Sequence, residues 1–190
     1  MKALTHWLRV VINLDEPESQ TTKRERKKIQ FYASGRTKAC EIGVFEGVNS
    51  ARISQVLSES GNLYSIDPFF KGRLGISYEK LIAHLHVKRT GNYSKVNWLR
   101  GLSHQCASFV PDDLDFLFID GDHSYEGISK DWEEYSCKVK LNGLVLLHDS
   151  FAAENSRALG SHTFFEEVIS KDERFEFVER VDSMAVIRRK

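Results

Sequence analysis

The chain has 190 residues, with 27 lysines and arginines balanced by 27 aspartates and glutamates, 41% hydrophobic residues and 3 cysteines. Such a length and apolar content suit one compact domain, which buries roughly 70% of its unfolded surface and needs no covalent staple. A formal charge of zero argues against a protein whose main work is to hold nucleic acid or an anionic membrane. The scattered Cys40, Cys106 and Cys137 argue against a disulfide framework or a structural zinc site.

The stretch from Met1 to Leu14 is interrupted by His6 and Arg9, and no run approaches about 18 apolar residues. Neither a targeting segment nor a membrane span is therefore expected, and a reducing cytoplasm is the expected setting. The local cluster Lys23, Arg24, Arg26, Lys27 and Lys28 reads as the solvated face of an early helix running to about Ser34, with a nucleic-acid patch as the alternative. Residues 1–35 are expected to form an N-terminal helical extension and residues 36–190 the main domain.

Ala39 to Val44 is a short apolar run that predicts a first strand, and the helical spacing of Ile53, Val56 and Leu57 predicts a helix over 50–58. Leu63 to Ile66 is a second strand, stopped at Asp67-Pro68 because proline cannot continue a ladder. A glycine-bearing loop over 69–75 leads to a helix over 77–87, and Val96 to Arg100 is a third strand ending at Gly101-Leu102-Ser103. Leu114 to Ile119, almost wholly apolar, predicts a central fourth strand running into Asp120-Gly121-Asp122-His123. A helix over 126–139 is expected to stop at Asn142-Gly143, and Leu144 to Leu147 is a fifth strand that delivers His148-Asp149. A helix over 163–170 precedes a hairpin of Phe175–Arg180 and Met184–Arg188, turned at Val181-Asp182-Ser183. Short apolar runs alternating with helices predict an α/β, doubly wound, mostly parallel sheet with helices on both faces.

In such a sheet, ligands sit outside the carboxyl ends of the strands, so the polar residues there are the candidates. The first strand ends in Glu41-Ile42-Gly43-Val44-Phe45-Glu46-Gly47, which differs from a dinucleotide fingerprint because Phe45 holds the slot of the second glycine. Gly43 and Gly47 still permit a tight turn, as suits a ligand carboxylate resting on the helix start near Asn49 and Ser50. Two such glycines also serve many strand-to-helix turns as pure structure. Asp67, twenty residues after Gly47 at the next strand end, is placed to accept ribose hydroxyls, or alternatively to shape the turn before Pro68.

Together with Phe118-Ile119-Asp120-Gly121-Asp122-His123-Ser124-Tyr125-Glu126-Gly127 and Gly143 to Asp149, these residues resemble the class I S-adenosylmethionine-dependent methyltransferases, in their small-molecule O-methyltransferase branch. The resemblance spans about residues 36–190. It implies a Rossmann-like seven-stranded sheet whose last strand is antiparallel. It also implies that Glu41, Gly43, Val44, Phe45, Gly47, Ser50, Asp67, Ser103 and Asp120 surround S-adenosylmethionine.

The same resemblance implies a divalent cation at Asp120, His148 and Asp149, with Asp122 as general base. His148 stands where the metal-dependent members usually carry an acid, which tilts the site from Mg²⁺ toward Mn²⁺, Fe²⁺ or Zn²⁺ or leaves it without metal. In the latter case His123 or His148 is the base. The expected partner is a small-molecule acceptor such as a sugar or secondary metabolite, with self-association into a homodimer left open. Two further readings stand beside this one: a non-catalytic cofactor-binding or partner-interaction module, and a nucleic-acid methyltransferase using residues 23–28. Loops over 69–75 and 150–162 are expected to cover the acceptor, and Trp98 and Trp132 to pack the core.

Overall fold

A computed structural model describes residues 2–72, 74–152 and 159–190. Arg73 of the first predicted loop and residues 153–158 of the second lie outside the described residues. The strands are β1 (Lys38–Ile42), β2 (Asn62–Asp67), β3 (Val96–Arg100), β4 (Leu114–Ile119), β5 (Val139–Leu147), β6 (Phe175–Val181) and β7 (Met184–Arg189). They form one sheet in the order β3-β2-β1-β4-β5-β7-β6. Strands β1 to β5 pair in parallel, and β7 runs antiparallel to both β5 and β6. This is the expected doubly wound, Rossmann-like sheet with its antiparallel last strand.

All six residues of β4 are buried, and their alternation divides the core in two. Phe116 and Phe118 point into one layer with Ile29 and Ala33 of α2 (Lys23–Ala33), Ala51 and Ile53 of α3 (Val48–Val56) and Val87 of α4 (Tyr78–Arg89). Leu117 and Ile119 point into the other, with Cys106 of α5 (Ser103–Cys106), Trp132 and Tyr135 of α6 (Tyr125–Tyr135) and Phe164 of α7 (Gly160–Glu167). The N-terminal α1 (Lys2–Val11) packs on α4, and the Arg89 guanidinium donates to the carbonyls of Val10 and Val11 at its end.

The α2 helix starts in a reciprocal cap: the Glu25 amide donates to the Thr22 hydroxyl, and the Thr22 amide donates to the Glu25 carboxylate. Glu25, Ile29 and Ala33, four residues apart, form its buried stripe. Lys23, Arg24 and Lys27 face solvent, Arg24 pairs with Asp182 at 2.8 Å and Lys28 with Glu179 at 2.6 Å, as a solvated face requires.

One expected boundary moves. The helix over 126–139 ends at Tyr135, continues as a short 3₁₀ turn over Ser136–Lys138, and gives way to β5 at Val139. Asn142-Gly143 therefore does not terminate a helix; it lies within β5. There five steps along β5, from Val139 to Leu144, match only two along β4, from Leu114 to Phe116. Asn142 takes a φ of 62° to absorb the excess, a conformation that asparagine tolerates at a bulge as well as at a helix end.

Candidate active site

A cavity of about 580 Å³ opens at the carboxyl ends of β1 to β4. Its floor is the start of the β1–α3 turn, where Gly43 and Phe45 have positive φ, of 88° and 52°, as does Gly47 behind them, with 76°. Gly47 approaches α4 so closely that a Cβ there would sit 2.8 Å from the Ala83 Cα. Phe45, without a glycine's freedom, is held in a left-handed conformation by its surroundings, a strain typical of ligand-binding turns.

The surroundings are supplied by Asp67. Its Oδ2 accepts the amides of Val44 at 2.9 Å and Phe45 at 3.1 Å, while Oδ1 accepts that of Phe69 at 2.6 Å. A carboxylate has about four acceptor positions, so Asp67 fixes the turn with three bonds and keeps roughly one for a ligand. It lines the cavity, as do Gly43, Val44, Phe45, Ser103, Asp120, Asp122 and His123.

Glu41, Gly47 and Ser50 stand behind the wall. Glu41 is fully buried, accepts hydrogen bonds from the hydroxyls of Ser50 and of Ser65, the latter at 3.1 Å, and leaves Oε1 without a partner. Burial pushes its carboxyl up to about 8, against the lowering effect of the two serines.

The other side of the cavity contains residues that sequence patterns had not singled out. Asp131 on α6 lines it beside Ser103, buried and pushed up to about 6 chiefly by desolvation. Glu18, Ser19 and Gln20 close it from the N-terminal segment. That segment is pinned through Glu46, whose Oε2 accepts the Glu18 amide at 2.6 Å and lies 3.1 Å from His6 Nε2. Nothing in local composition announces such contacts, because they join residues far apart in the chain.

At the β4 and β5 ends, ligating atoms of Asp120, His123 and His148 lie within 4.8 Å of one another. His148 Nδ1 is 2.8 Å from Asp120 Oδ1 and 3.5 Å from Asp149 Oδ2. His123 Nε2 is 3.8 Å from Asp120 Oδ1, and its Nδ1 is 3.6 Å from Asp149 Oδ2. His123 thus joins the expected ligand group, and Asp149, bent back with a φ of 51°, stands at its edge. Asp122 is exposed and turns Oδ1 into the Ser124 amide at 2.9 Å, ahead of α6.

Beneath this group, His148 Nε2 lies 3.4 Å from Glu25 Oε2 on α2. Burial lowers the affinity of His148 for a proton, but its pairing with Asp120 and Glu25 outweighs that and raises it to about 10. Glu25 resists burial in the same way and is held down at about 2 by His148 and the Thr22 amide. The Thr22-x-x-Glu25 capping pattern was the visible signal for this residue.

A family profile described as a methyltransferase domain matches residues 40–150, more than half of the chain. The chain belongs to this methyltransferase domain family. The matched span runs from β1 to the end of β5 and so includes Gly43, Asp67, Asp120, His148 and Asp149, but not α2. An uncharacterized protein of Acanthamoeba polyphaga mimivirus is 31% identical over 114 residues, 57% of this chain and 49% of that protein. The chain spans about half the length of that curated relative.

Among solved structures, the O-methyltransferase from Bacillus cereus with bound SAH is similar over 100% of this chain and 91% of its own, at 16% identity and a TM-score of 0.71. The O-methyltransferase TomG from Streptomyces achromogenes, involved in tomaymycin synthesis and solved with SAM, is similar over 100% and 90%, at 15% identity and a TM-score of 0.68. At these identities the likeness establishes the shared fold, including its seven-stranded order and antiparallel end.

Proposed function

We propose that this methyltransferase moves the methyl group of S-adenosylmethionine to a hydroxyl of a small molecule, assisted by a divalent cation. The observation that carries the reading is a shared wall: Asp120 and His123 line the cavity above the glycine turn and also belong to the ligating group with His148. Cofactor and cation would then meet at one edge. The volume of about 580 Å³ lies in the range of small-molecule clefts, and the exposed Phe70 and Leu102 offer apolar contacts to an acceptor.

The residues fit the cofactor. Gly43 keeps the turn clear of side chains, the remaining acceptor capacity of Asp67 suits a ribose hydroxyl, and Asp131 beside Ser103 suits the adenine end. They also fit a cation. One ligating atom each from Asp120, His123 and His148, all within 4.8 Å of one another, is a spacing that one ion can bridge, with Asp149 beside them, and His148 Nδ1, 2.8 Å from Asp120 Oδ1, is buried with no well-directed hydrogen bond. Two imidazoles with carboxylates favour Mn²⁺, Fe²⁺ or Zn²⁺ over Mg²⁺. When bound, such an ion lowers the pKa of a nearby hydroxyl.

His148 is a ligand in this reading and not the base, since it stands behind Asp120 and outside the cavity lining. Asp122, lining the cavity with Oδ1 held by the Ser124 amide, takes up the acceptor's hydroxyl proton at Oδ2. Positioning of the two reactants supplies the larger share, about 7–11 kcal/mol, against roughly 10²–10⁴-fold from the base.

The decisive experiment is calorimetric titration with S-adenosylmethionine and its demethylated product, followed by product detection against catechol, sugar and phenol acceptors with Mn²⁺ present. Binding together with methylated hydroxyl product is the expected result. A protein that takes up neither ligand at millimolar concentration overturns the assignment.

A further inference from the structure

We infer that Glu25 of α2 is the outer carboxylate of the cation site, a positioning residue that orients His148 by pairing with Nε2 so that Nδ1 faces the cation. The inference rests on the proposed metal reading above and extends it to a helix outside the matched methyltransferase span.

The geometry is that of a carboxylate–histidine–metal relay, in which one ring nitrogen binds the ion while the other donates to an acid that fixes tautomer and ring orientation. Glu25 Oε2 is 3.4 Å from Nε2, on the opposite side of the ring from the Nδ1 edge, where Asp120 and Asp149 lie 2.8 and 3.5 Å away. Both partners are buried, Glu25 completely.

Glu25 is also fixed independently of His148. Its Oε2 accepts the Thr22 amide at 2.7 Å, and its Oε1 accepts the amide and hydroxyl of Ser183 in the β6–β7 turn, at 3.0 and 2.9 Å. Two separate elements, the α2 start and the terminal hairpin, therefore aim one carboxylate at the ring. A side chain held from both sides positions its target without reorganising, which is what a relay to a ligand requires.

The test measures Mn²⁺ binding to the full chain by electron paramagnetic resonance, in the absence of cofactor and acceptor. Glu25→Gln keeps the side-chain length and an acceptor for the cap but loses the charge toward Nε2. It should weaken Mn²⁺ binding 10- to 100-fold while leaving affinity for the demethylated cofactor product within twofold.

Ser183→Ala is the control. It removes one of the two hairpin bonds to Glu25 Oε1 but keeps the Ser183 amide, the Thr22 amide and the charge toward Nε2, so it should lower the melting temperature and leave Mn²⁺ affinity near that of the wild type. A merely structural Glu25 would give the same pattern in Glu25→Gln: lower melting temperature with unchanged Mn²⁺ binding, which overturns this inference alone. A wild-type chain that binds no Mn²⁺ overturns the metal reading and this inference with it.

Discussion

The backbone at Gly43 passes so close to Asp120 that a Cβ built there would stand 2.0 Å from the Asp120 carbonyl oxygen. The ends of β1 and β4 are thereby clamped together, with the Asp120 amide donating to the Ile42 carbonyl at 2.8 Å. The glycine turn and the residue shared by cavity and ligating group are one rigid unit. No side chain fits between them, and the φ of 88° at Gly43 adds its own cost for any other residue.

Gly43→Ala is therefore expected to destabilise the fold by about 4 kcal/mol or more, the upper end for point substitutions. For a domain of this size that is a fall of roughly 8–16 °C in melting temperature. Differential scanning calorimetry checks it, and a variant melting within 2 °C of the wild type would contradict the clamp.

Asp67 has a structural duty that a simple ribose acceptor would not have. Asp67→Asn leaves one oxygen where the amides of Val44, Phe45 and Phe69 now use two, so stability should fall by about 2–3 kcal/mol along with cofactor affinity. Urea denaturation without ligand separates the two roles: unchanged stability with weakened cofactor binding would show that the turn does not depend on this carboxylate.

Asp131 gives a pH signature. Its folded-state pKa is raised from 3.8 to about 6, so between these values the folded chain holds a proton that the unfolded chain has released. Stability should consequently decline as pH rises from about 4 to 6, by about 3 kcal/mol at most, and then level. Asp131→Asn should remove this component. Denaturation curves at pH 4 and pH 7 for both proteins give the comparison, and equal pH dependence in the two would refute it.

Asp122 is assigned the proton and no share of cofactor binding. Asp122→Asn is expected to lower kcat by roughly 10²–10⁴-fold with cofactor affinity within twofold of the wild type. Single-turnover rates alongside calorimetry test this, and an unaltered rate would remove Asp122 as the base.

The sequence by itself determined the sheet and the polar residues along its edge. Apolar runs such as Leu114–Ile119 record burial on both faces, and glycines and acids placed directly after such runs record the rim, because both signals are local in the chain. Its resemblance to methyltransferases added the antiparallel end, which β7 shows. Tertiary structure alone decided which rim residues share a space. Glu41 follows the same strand-end pattern as Asp67, and Ser50 the helix start after it, but both lie behind the wall, and His123 joins Asp120 and His148 because β4 and β5 are neighbours. The Asn142-Gly143 bulge likewise depends on the β4 register, invisible in a pattern that helix ends share. Glu25 shows the difference most sharply: its cap is written in four consecutive residues, whereas its pairing with His148 spans more than a hundred and exists only once α2 has packed against the sheet.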